Sequence, residues 1–252
     1  MSTPENDRFV RSFARGLTVI SALGRKPGHH SIASVAELTE LPRAVARRIL
    51  ATLCELGYAR VEGREFRLTP RVLTLGLSYL TSLPYFAHAQ QALIEISSEI
   101  DESCAMAVMD TTEIVFIQRI PSRKVLSPNL VIGSRLPAYA TSPGRVLLAN
   151  LDPSEVDVYF DKAHLKAYTE RTIVEKSALV TLLSEVREQG YAWVDRELDP
   201  DVSGLSVPVR DDDRNVVAAL SVNVLSEGWT EAQAVKKFLS PLRRAASCIR
   251  FQ

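Results

Sequence analysis

The chain has 252 residues, 46% of them hydrophobic and 24% charged, and its 30 Lys and Arg balance 30 Asp and Glu. This is the composition of a globular protein of one large or two moderate domains, and two fit the length better. The three cysteines (Cys54, Cys104, Cys248) include no CxxC pair and the four histidines (His29, His30, His88, His164) stand away from ligand spacing, which excludes a disulfide framework and a zinc site, so neither a metal nor a cofactor is expected.

No stretch approaches the ~20 apolar residues of a membrane-spanning helix. The opening MSTPENDRFVRS lacks the apolar core of a secretion signal, so a cytoplasmic protein with no membrane partner is expected. The zero net charge hides a segregation. Residues 1–82 hold twelve Lys and Arg against seven Asp and Glu, a net +5, and residues 83–252 hold eighteen against twenty-three, a net −5. Attraction to phosphate is local, within a Debye length of about 10 Å, so the basic part keeps nucleic acid among the candidate partners.

From Phe9 to Leu23, Phe13, Leu17, Ile20 and Leu23 mark an amphipathic helix, ended by Gly24 and the turn Arg25-Lys26-Pro27-Gly28. Arg11 and Arg15 on it, and Arg8 just before it, face either phosphate or solvent. A second helix, Ala33 to Thr39, is tied by the short Glu40-Leu41 turn to a third, Pro42 to Leu56, with Pro42 suited to the first helical position. In the third helix Val45, Ile49, Leu53 and Leu56 form one apolar stripe, which leaves Arg43, Ala44, Arg47 and Arg48 on the opposite face. Arginines at the outward start of such a helix donate paired hydrogen bonds to guanine O6 and N7, and a small Ala44 lets the backbone approach a thymine methyl. A basic face alone is usually only solvated. Here the strands Tyr58–Val61 and Phe66–Leu68 follow, around the turn Glu62-Gly63-Arg64-Glu65, and complete a winged helix-turn-helix with Arg64 at the tip, placed for a phosphate.

Thr69-Pro70 starts the next helix, Arg71 to Ser82. Val72, Leu73, Leu75, Leu77, Leu80 and Leu83 put apolar groups around too much of its circumference for a solvated linker. Its cover is either the N-terminal core or a second copy of the chain, as two reading helices about one DNA turn apart require. Pro84 marks a domain boundary. Beyond it an α+β pattern runs: a helix through Ala89, Leu93, Ile96 and Ile100; strands near Cys104–Met109, Ile114–Ile120 and Val125–Val131; a helix from Thr141 to Asn150; helices Pro153–Phe160 and Lys176–Gln189; strands near Tyr191–Asp195, Leu205–Arg210 and Val216–Leu225; and a last helix through Val235, Phe238, Leu242, Ala245 and Ile249.

In the strand ending at Leu225, Leu220, Val222 and Val224 alternate with Ser221 and Asn223, so the two polar residues share a face and suit a ligand-orienting concavity. Ala140-Thr141-Ser142-Pro143-Gly144 adds hydroxyls and backbone N–H groups at a helix N-terminus, a place for a carboxylate. There is no G-x-S-x-G elbow, phosphate loop or H-E-x-x-H. The acidic run Asp195, Glu197, Asp199, Asp201 reads as a solvated loop, with Asp195 at a strand end kept as a pocket residue.

With ARRILATLCELGYARVEGREFRLTPRVLTLG in the N-terminal half, and GSRLPAYATSPGRVLLANL, GYAWVDRELDPDVSGLSVPV and VVAALSVNV in the C-terminal half, the chain resembles the IclR-type transcription regulators over nearly its full length. QRIPSRKVLSPNLVIGSRLPAYATSPGRVLLA is especially similar to the subfamily controlling aromatic acid catabolism, the protocatechuate and β-ketoadipate pathway regulators of the PcaR, PcaU and PobR kind. The resemblance implies a winged helix domain at 1–69, a linker helix at 70–83 and a GAF-like effector-binding domain at 84–252, in homodimers that pair into dimers of dimers on a double-stranded operator. It also implies that a small carboxylic acid sits near Ala140, Thr141, Ser142, Gly144, Asp195, Ser203, Ser206, Ser221 and Asn223. Pro42-Arg43-Ala44-Val45 departs from the hydroxyl residues that many members carry at the start of the reading helix. The other readings are a regulator of a different carbon-source pathway, an enzyme working through the acidic run, and an interaction protein whose winged helix meets protein.

Overall fold

The computed structural model describes residues 9–25, 28–122 and 130–251, in two compact units that divide between Ser82 and Leu83. The expected strand Val125–Val131 lies outside the described residues except for its last two, which form no strand.

The first unit contains α1 (Arg11–Arg25), β1 (His30–Ser31), α2 (Ile32–Thr39), α3 (Arg43–Glu55), β2 (Ala59–Glu62), β3 (Glu65–Leu68), a 3-10 turn at Pro70–Val72 and α4 (Leu73–Ser82). Ser31 caps α2, its hydroxyl accepting from the Ser34 N–H at 3.2 Å. Glu40, in the left-handed region at φ 54°, ends the helix tightly and turns the chain into α3. Pro42 lies one position outside α3, extended at ψ 138°, and its carbonyl accepts from the Val45 and Ala46 N–H groups at 2.8 and 3.0 Å. The wing turn is tighter than the sequence suggests: Glu62 pairs with Glu65, leaving Gly63-Arg64 as a two-residue turn with Gly63 at φ 64°. β1, too short to be recognised by alternation, adds a third strand through His30 opposite Phe66.

The buried stripe of α3 is rotated from the expected one. Ala46, Leu50 and Leu53 enter the core with Val19, Leu23 and Val35, because α1 and α2 both pack on this face and the small Ala46 allows the approach. Leu53 is thus the buried member of the expected stripe; Val45 and Leu56 border an apolar groove shared with Phe13 and Leu17 of α1 and Leu75 of α4, and Ile49 packs on the core while also lining that groove. None of the residues of α4 is buried, and Leu73, Leu75, Leu77 and Tyr79 are all exposed.

The second unit contains α5 (Phe86–Ile100), β4 (Ser103–Asp110), β5 (Glu113–Ile120), β6 (Arg135–Pro137), a 3-10 turn at Ala138–Ala140, α6 (Ser142–Ala149), α7 (Pro153–Lys162), α8 (Lys176–Gln189), β7 (Ala192–Asp195), β8 (Val202–Arg210), β9 (Val216–Leu225), α9 (Glu231–Ala234), a π-helical turn at Val235–Leu239 and α10 (Ser240–Cys248). This is the α+β class that the pattern implied. The six strands form one antiparallel sheet in the order β6-β5-β4-β9-β8-β7. α5 and α10 cover one face; α6, backed by α8, covers the other. Among the described residues no helix is long and apolar enough to cross a membrane.

α6 lies on a floor of small residues. Directly opposed residues in an antiparallel sheet share a face, and the register sets Ala105, Ser221 and Ser206 in one row and Ala107 and Ala219 in the next. Every residue of α6 is buried. A Cβ on Gly144 would overlap the backbone of Ala138, and one on Gly204 would lie 2.8 Å from the Ser142 Oγ. Gly144→Ala therefore lowers the unfolding free energy of the second unit by about 1–3 kcal/mol, as overpacking does. Gly76→Ala, where a Cβ on α4 meets nothing within 4 Å, raises stability by about 0.5–1 kcal/mol. Urea denaturation of both variants measures the pair.

Candidate functional site

Pro42, Arg43, Ala44, Arg47 and Arg48 are exposed along the outer face and N-terminal start of α3, and Arg64 is exposed at the wing tip. Among the described residues none of these four arginines is in an ion pair, whereas Arg60 and Arg67 of the wing are held on Glu62 at 3.0 and 2.5 Å. The hydroxyl of Thr69 donates to the Gly57 carbonyl at 2.5 Å, and Arg71 stacks over the Tyr58 ring at 5.4 Å, which fixes the end of the wing against the end of α3. The first unit thus presents a reading helix and a wing tip with their cations open to solvent, the geometry of DNA docking.

In the second unit a cavity of about 570 Å³ opens at the N-terminus of α6, within the range of small-molecule sites. Of the residues expected to bind a ligand, Ala140, Thr141, Ser142, Ser203 and Asn223 line it. Gly144, Asp195, Ser206 and Ser221 do not. Ser221 shares the face of Asn223, as alternation required, but α6 covers it, and its hydroxyl donates to the Ala105 carbonyl at 3.2 Å. Ser206 bonds the Ser142 hydroxyl at 2.8 Å. Gly144 is packed on Ala138. Asp195 accepts from the Ser203 hydroxyl at 2.7 Å and from Arg196 at 3.1 Å, and pairs with Arg171. Burial pushes the Asp195 carboxyl up, but hydrogen bonds from Arg196 and Ser203 and the charges of Arg196 and Arg171 outweigh it and hold the group below its ordinary range.

The helix N-terminus offers less to an anion than its sequence promised. The Thr141 hydroxyl already accepts from the Gly144 N–H at 3.2 Å, and Pro143 has no N–H. Of the first three positions only Ser142 keeps a donor for a ligand.

The remaining lining was not recognised from the sequence. Phe116, Leu136, Val194 and Leu198 supply apolar wall; Arg119, Ser134, Arg135 and Asp199 supply polar groups. Arg135 is held between Asp110 and Glu113 at 2.6 and 2.7 Å, and the hydrogen bonds to Glu113 and Asp110 raise its guanidinium further. The guanidinium of Arg119 donates to the Leu130 carbonyl, and burial lowers it from its ordinary value.

The acidic run is not a uniformly solvated loop. Glu197 is 6% exposed and Arg145 of α6 1% exposed, and they form an ion pair at 2.6 Å. Arg145 also donates to the Tyr139 carbonyl at 2.8 Å, and Glu197 accepts from the Ile173 N–H at 3.1 Å. Thr169 and Thr172 hold the backbone of the same loop, their hydroxyls donating at 2.7 Å to the carbonyl of Arg196 and at 2.5 Å to that of Glu197. Leu198 and Asp199, next in the chain, form cavity wall. Among the described residues no group of three or more His, Cys, Asp or Glu is arranged to hold a metal.

A basic winged helix joined in one chain to an α+β unit with a ligand-sized cavity is the build of a transcription regulator that takes a small-molecule effector. Residues 77–250 match the family described as the bacterial transcriptional regulator IclR C-terminal domain, and residues 12–63 match the IclR helix-turn-helix domain. The chain belongs to the IclR family of transcription regulators, whose named members are DNA-binding proteins and not enzymes. It is 41% identical over 240 residues to the Pca regulon regulatory protein of Pseudomonas putida, covering 95% of this chain and 82% of that protein. The p-hydroxybenzoate hydroxylase transcriptional activator of Acinetobacter baylyi is 31% identical over 247 residues, 96% of this chain and 91% of that one. The crystal structure of a transcriptional regulator from Rhodococcus sp. RHA1 superposes with a TM-score of 0.85 at 38% identity, covering 96% of this chain and 97% of that one.

The buried pair generates a prediction for stability. Glu197→Ala leaves the Arg145 charge uncompensated and destabilises the second unit by about 3–5 kcal/mol, whereas the double variant Arg145→Met/Glu197→Leu recovers much of that loss. Chemical denaturation of the three proteins measures both effects; equal loss in the single and double variants would show that the pair's contribution is shape and not charge.

Proposed function

We propose that this chain is an effector-controlled regulator of genes for aromatic acid catabolism, in the protocatechuate and β-ketoadipate pathway. The observation that carries the reading is the cavity at the start of α6. Its wall combines Phe116, Leu136 and Leu198 with the small polar groups of Ser142, Ser203 and Asn223, a surface suited to a small ring or short acid bearing hydroxyl and carboxylate groups. The names of the two relatives, a Pca regulon regulator and a p-hydroxybenzoate hydroxylase activator, point to the same chemical class.

In this reading residues 1–69 bind DNA, 70–83 link and 84–252 take the effector. Arg43, Ala44, Arg47 and Arg48 read bases with Pro42 setting the helix start, and Arg64 holds a phosphate. Ala140, Thr141, Ser142, Ser203 and Asn223 meet the effector, while Gly144, Asp195, Ser206 and Ser221 hold those residues in place. The chain works as a cytoplasmic homodimer, supported by the unburied apolar face of α4 and its neighbouring groove, and dimers pair on the operator. The effector acts through its differential affinity for two arrangements of the dimer.

The test is a titration of the purified protein with its own upstream intergenic DNA at two salt concentrations, with and without 4-hydroxybenzoate, protocatechuate and β-ketoadipate. Salt-sensitive binding that one of these compounds shifts is expected. Binding that none of them shifts, together with a response to some other carbon source, would move the regulator to a different pathway. Arg47→Ala is expected to lower specific operator affinity by about 1–3 kcal/mol while leaving binding to unrelated DNA far less affected. An unchanged ratio of specific to non-specific affinity would remove Arg47 from base reading.

A further inference from the structure

We propose that Gln118 is the positioning residue that couples the cavity to the start of α5, and so to the turn that follows α4; this rests on reading the cavity as the effector site. On a regular strand, residues two apart share a face. Phe116 and Gln118 of β5 do not. Ile117 stands without a partner between the pairs Ala107–Phe116 and Met106–Gln118, a β-bulge across which the alternation resets. Phe116, opposite Ala107, is on the α6 face and lines the cavity. Gln118, opposite Met106, is on the other face, where α5 packs on β4 and β5, and is 3% exposed. Three consecutive residues thus join the cavity wall to the helix that opens the second unit.

The Gln118 amide reaches the first residue of that helix. Its Nε2 donates to the Phe86 carbonyl at 2.6 Å, and the Phe86 N–H donates to the Leu83 carbonyl at 3.1 Å. The turn between Ser82, the last residue of α4, and α5 is therefore tied to the same residue that Gln118 holds.

Stability does not require this bond. The Phe86 carbonyl already accepts from the helical N–H four residues on, and the amide uses only its second lone pair. Gln118 Oε1 is buried without a hydrogen-bond partner, and so is Nδ1 of His88 on the first turn of α5; among the described residues these are the two such side-chain atoms of the second unit. A buried amide satisfied at one end adds little to the folded state, because its unmet acceptor is costly. A second placement of the α5 start has two unmet groups to satisfy and one bond to lose. The interrupted ladder at Ile117 lowers the resistance to it. A compound that displaces Phe116 acts, two peptide bonds along, on an amide that draws the start of α5 and Leu83 with it. That is an element with two arrangements which both the cavity and the linker can bias.

The test measures operator affinity of the full-length protein for its own upstream intergenic DNA, without and with saturating 4-hydroxybenzoate, protocatechuate or β-ketoadipate. Calorimetry gives the affinity of each compound for the free and the DNA-bound protein. In the wild-type protein one compound is expected to change operator affinity by about fivefold or more. Gln118→Met, nearly isosteric and without the donor, is expected to bring that change to within about twofold of none. By linkage the compound's preference between free and DNA-bound protein falls to the same factor, while its affinity for the free protein stays within about threefold. Gln118→Asn, whose amide ends one methylene short, is expected to behave alike and serves if the methionine variant does not fold. Ile96→Val thins the packing of α5 on the sheet away from this bond, and is expected to lower the urea midpoint while keeping the wild-type response. An equal loss of response in Ile96→Val would overturn the assignment by reducing it to helix packing. A full response in Gln118→Met or Gln118→Asn, loss of compound binding by both free variants, or a wild-type protein that binds a compound with no change in operator affinity would also overturn it, leaving the cavity as a binding site. A wild-type protein that binds none of the three compounds would overturn the effector reading and this assignment together.

Discussion

The approach of α6 to the sheet depends on what lies between them, Ala105, Ala107, Ala219, Ser206 and Ser221, while Gly144 lets the helix close on the backbone of Ala138 in the turn before it. A helix normally packs on a sheet through a layer of large side chains. Here that layer is thin. The start of α6 is therefore brought down level with Gly204 and Asn223, and the larger residues of the flanking elements, Phe116, Leu136 and Leu198, stand up around it. The cavity is the space left where the small floor ends and the large rim begins. Enlarging the floor would lift α6 and unmake the site before any ligand contact was lost.

A helix held that closely buries whatever it carries, and α6 carries an arginine. Arg145 is accommodated because Glu197 arrives from a loop 52 residues away and because Tyr139 and Ile173 supply the remaining hydrogen bonds. A hydrophobic pair could stabilise the same volume as well or better, since desolvating two charges offsets most of their attraction. What the ionic pair adds is direction. It holds the loop bearing Leu198 and Asp199 in one position relative to α6, so two walls of the cavity are tied to each other rather than only to the sheet. Any ligand that repositions one wall must act on the other.

The sequence revealed what depends on neighbours along the chain. Lys176–Gln189 was legible as a helix to the residue, the helix expected from Thr141 begins one residue later at Ser142, and the period-two run of β9 set Ser221 and Asn223 on one face correctly. What it hid depends on partners far along the chain. Whether Ser221 faces a ligand or a helix depends on α6, some 75 residues earlier, and small polar residues suit both. The Arg145–Glu197 pair joins two residue types that look solvated wherever they are read singly. In the stripe of α3 Leu53 was placed correctly, but Val45 and Ile49 stand one position before the buried Ala46 and Leu50, because α3 has apolar groups on two sides, one for its core and one for the groove with α1 and α4. Met106 pairs with Gln118 and Ala107 with Phe116, so Ile117 is a bulge in β5; it leaves no local mark in a run of mostly apolar residues, and Arg119, which it returns to the face of Phe116 in the cavity wall, was assigned to no site.

These two kinds of information divide the functions of the chain between them. The exposed cations of the first unit lie on the outside of a short local motif, and local motifs are readable: α3 and the wing lie within 26 residues, from Arg43 to Leu68. Their charges act on whatever phosphate comes within a Debye length, and the excess of +5 in residues 1–82 is opposed by −5 in the remainder, which confines the attraction to the reading unit. The cavity of the second unit is lined by groups converging from β5, β6, the start of α6, β8, β9 and the loop after β7. Each is ordinary in its own segment, and only the register of the sheet makes them neighbours.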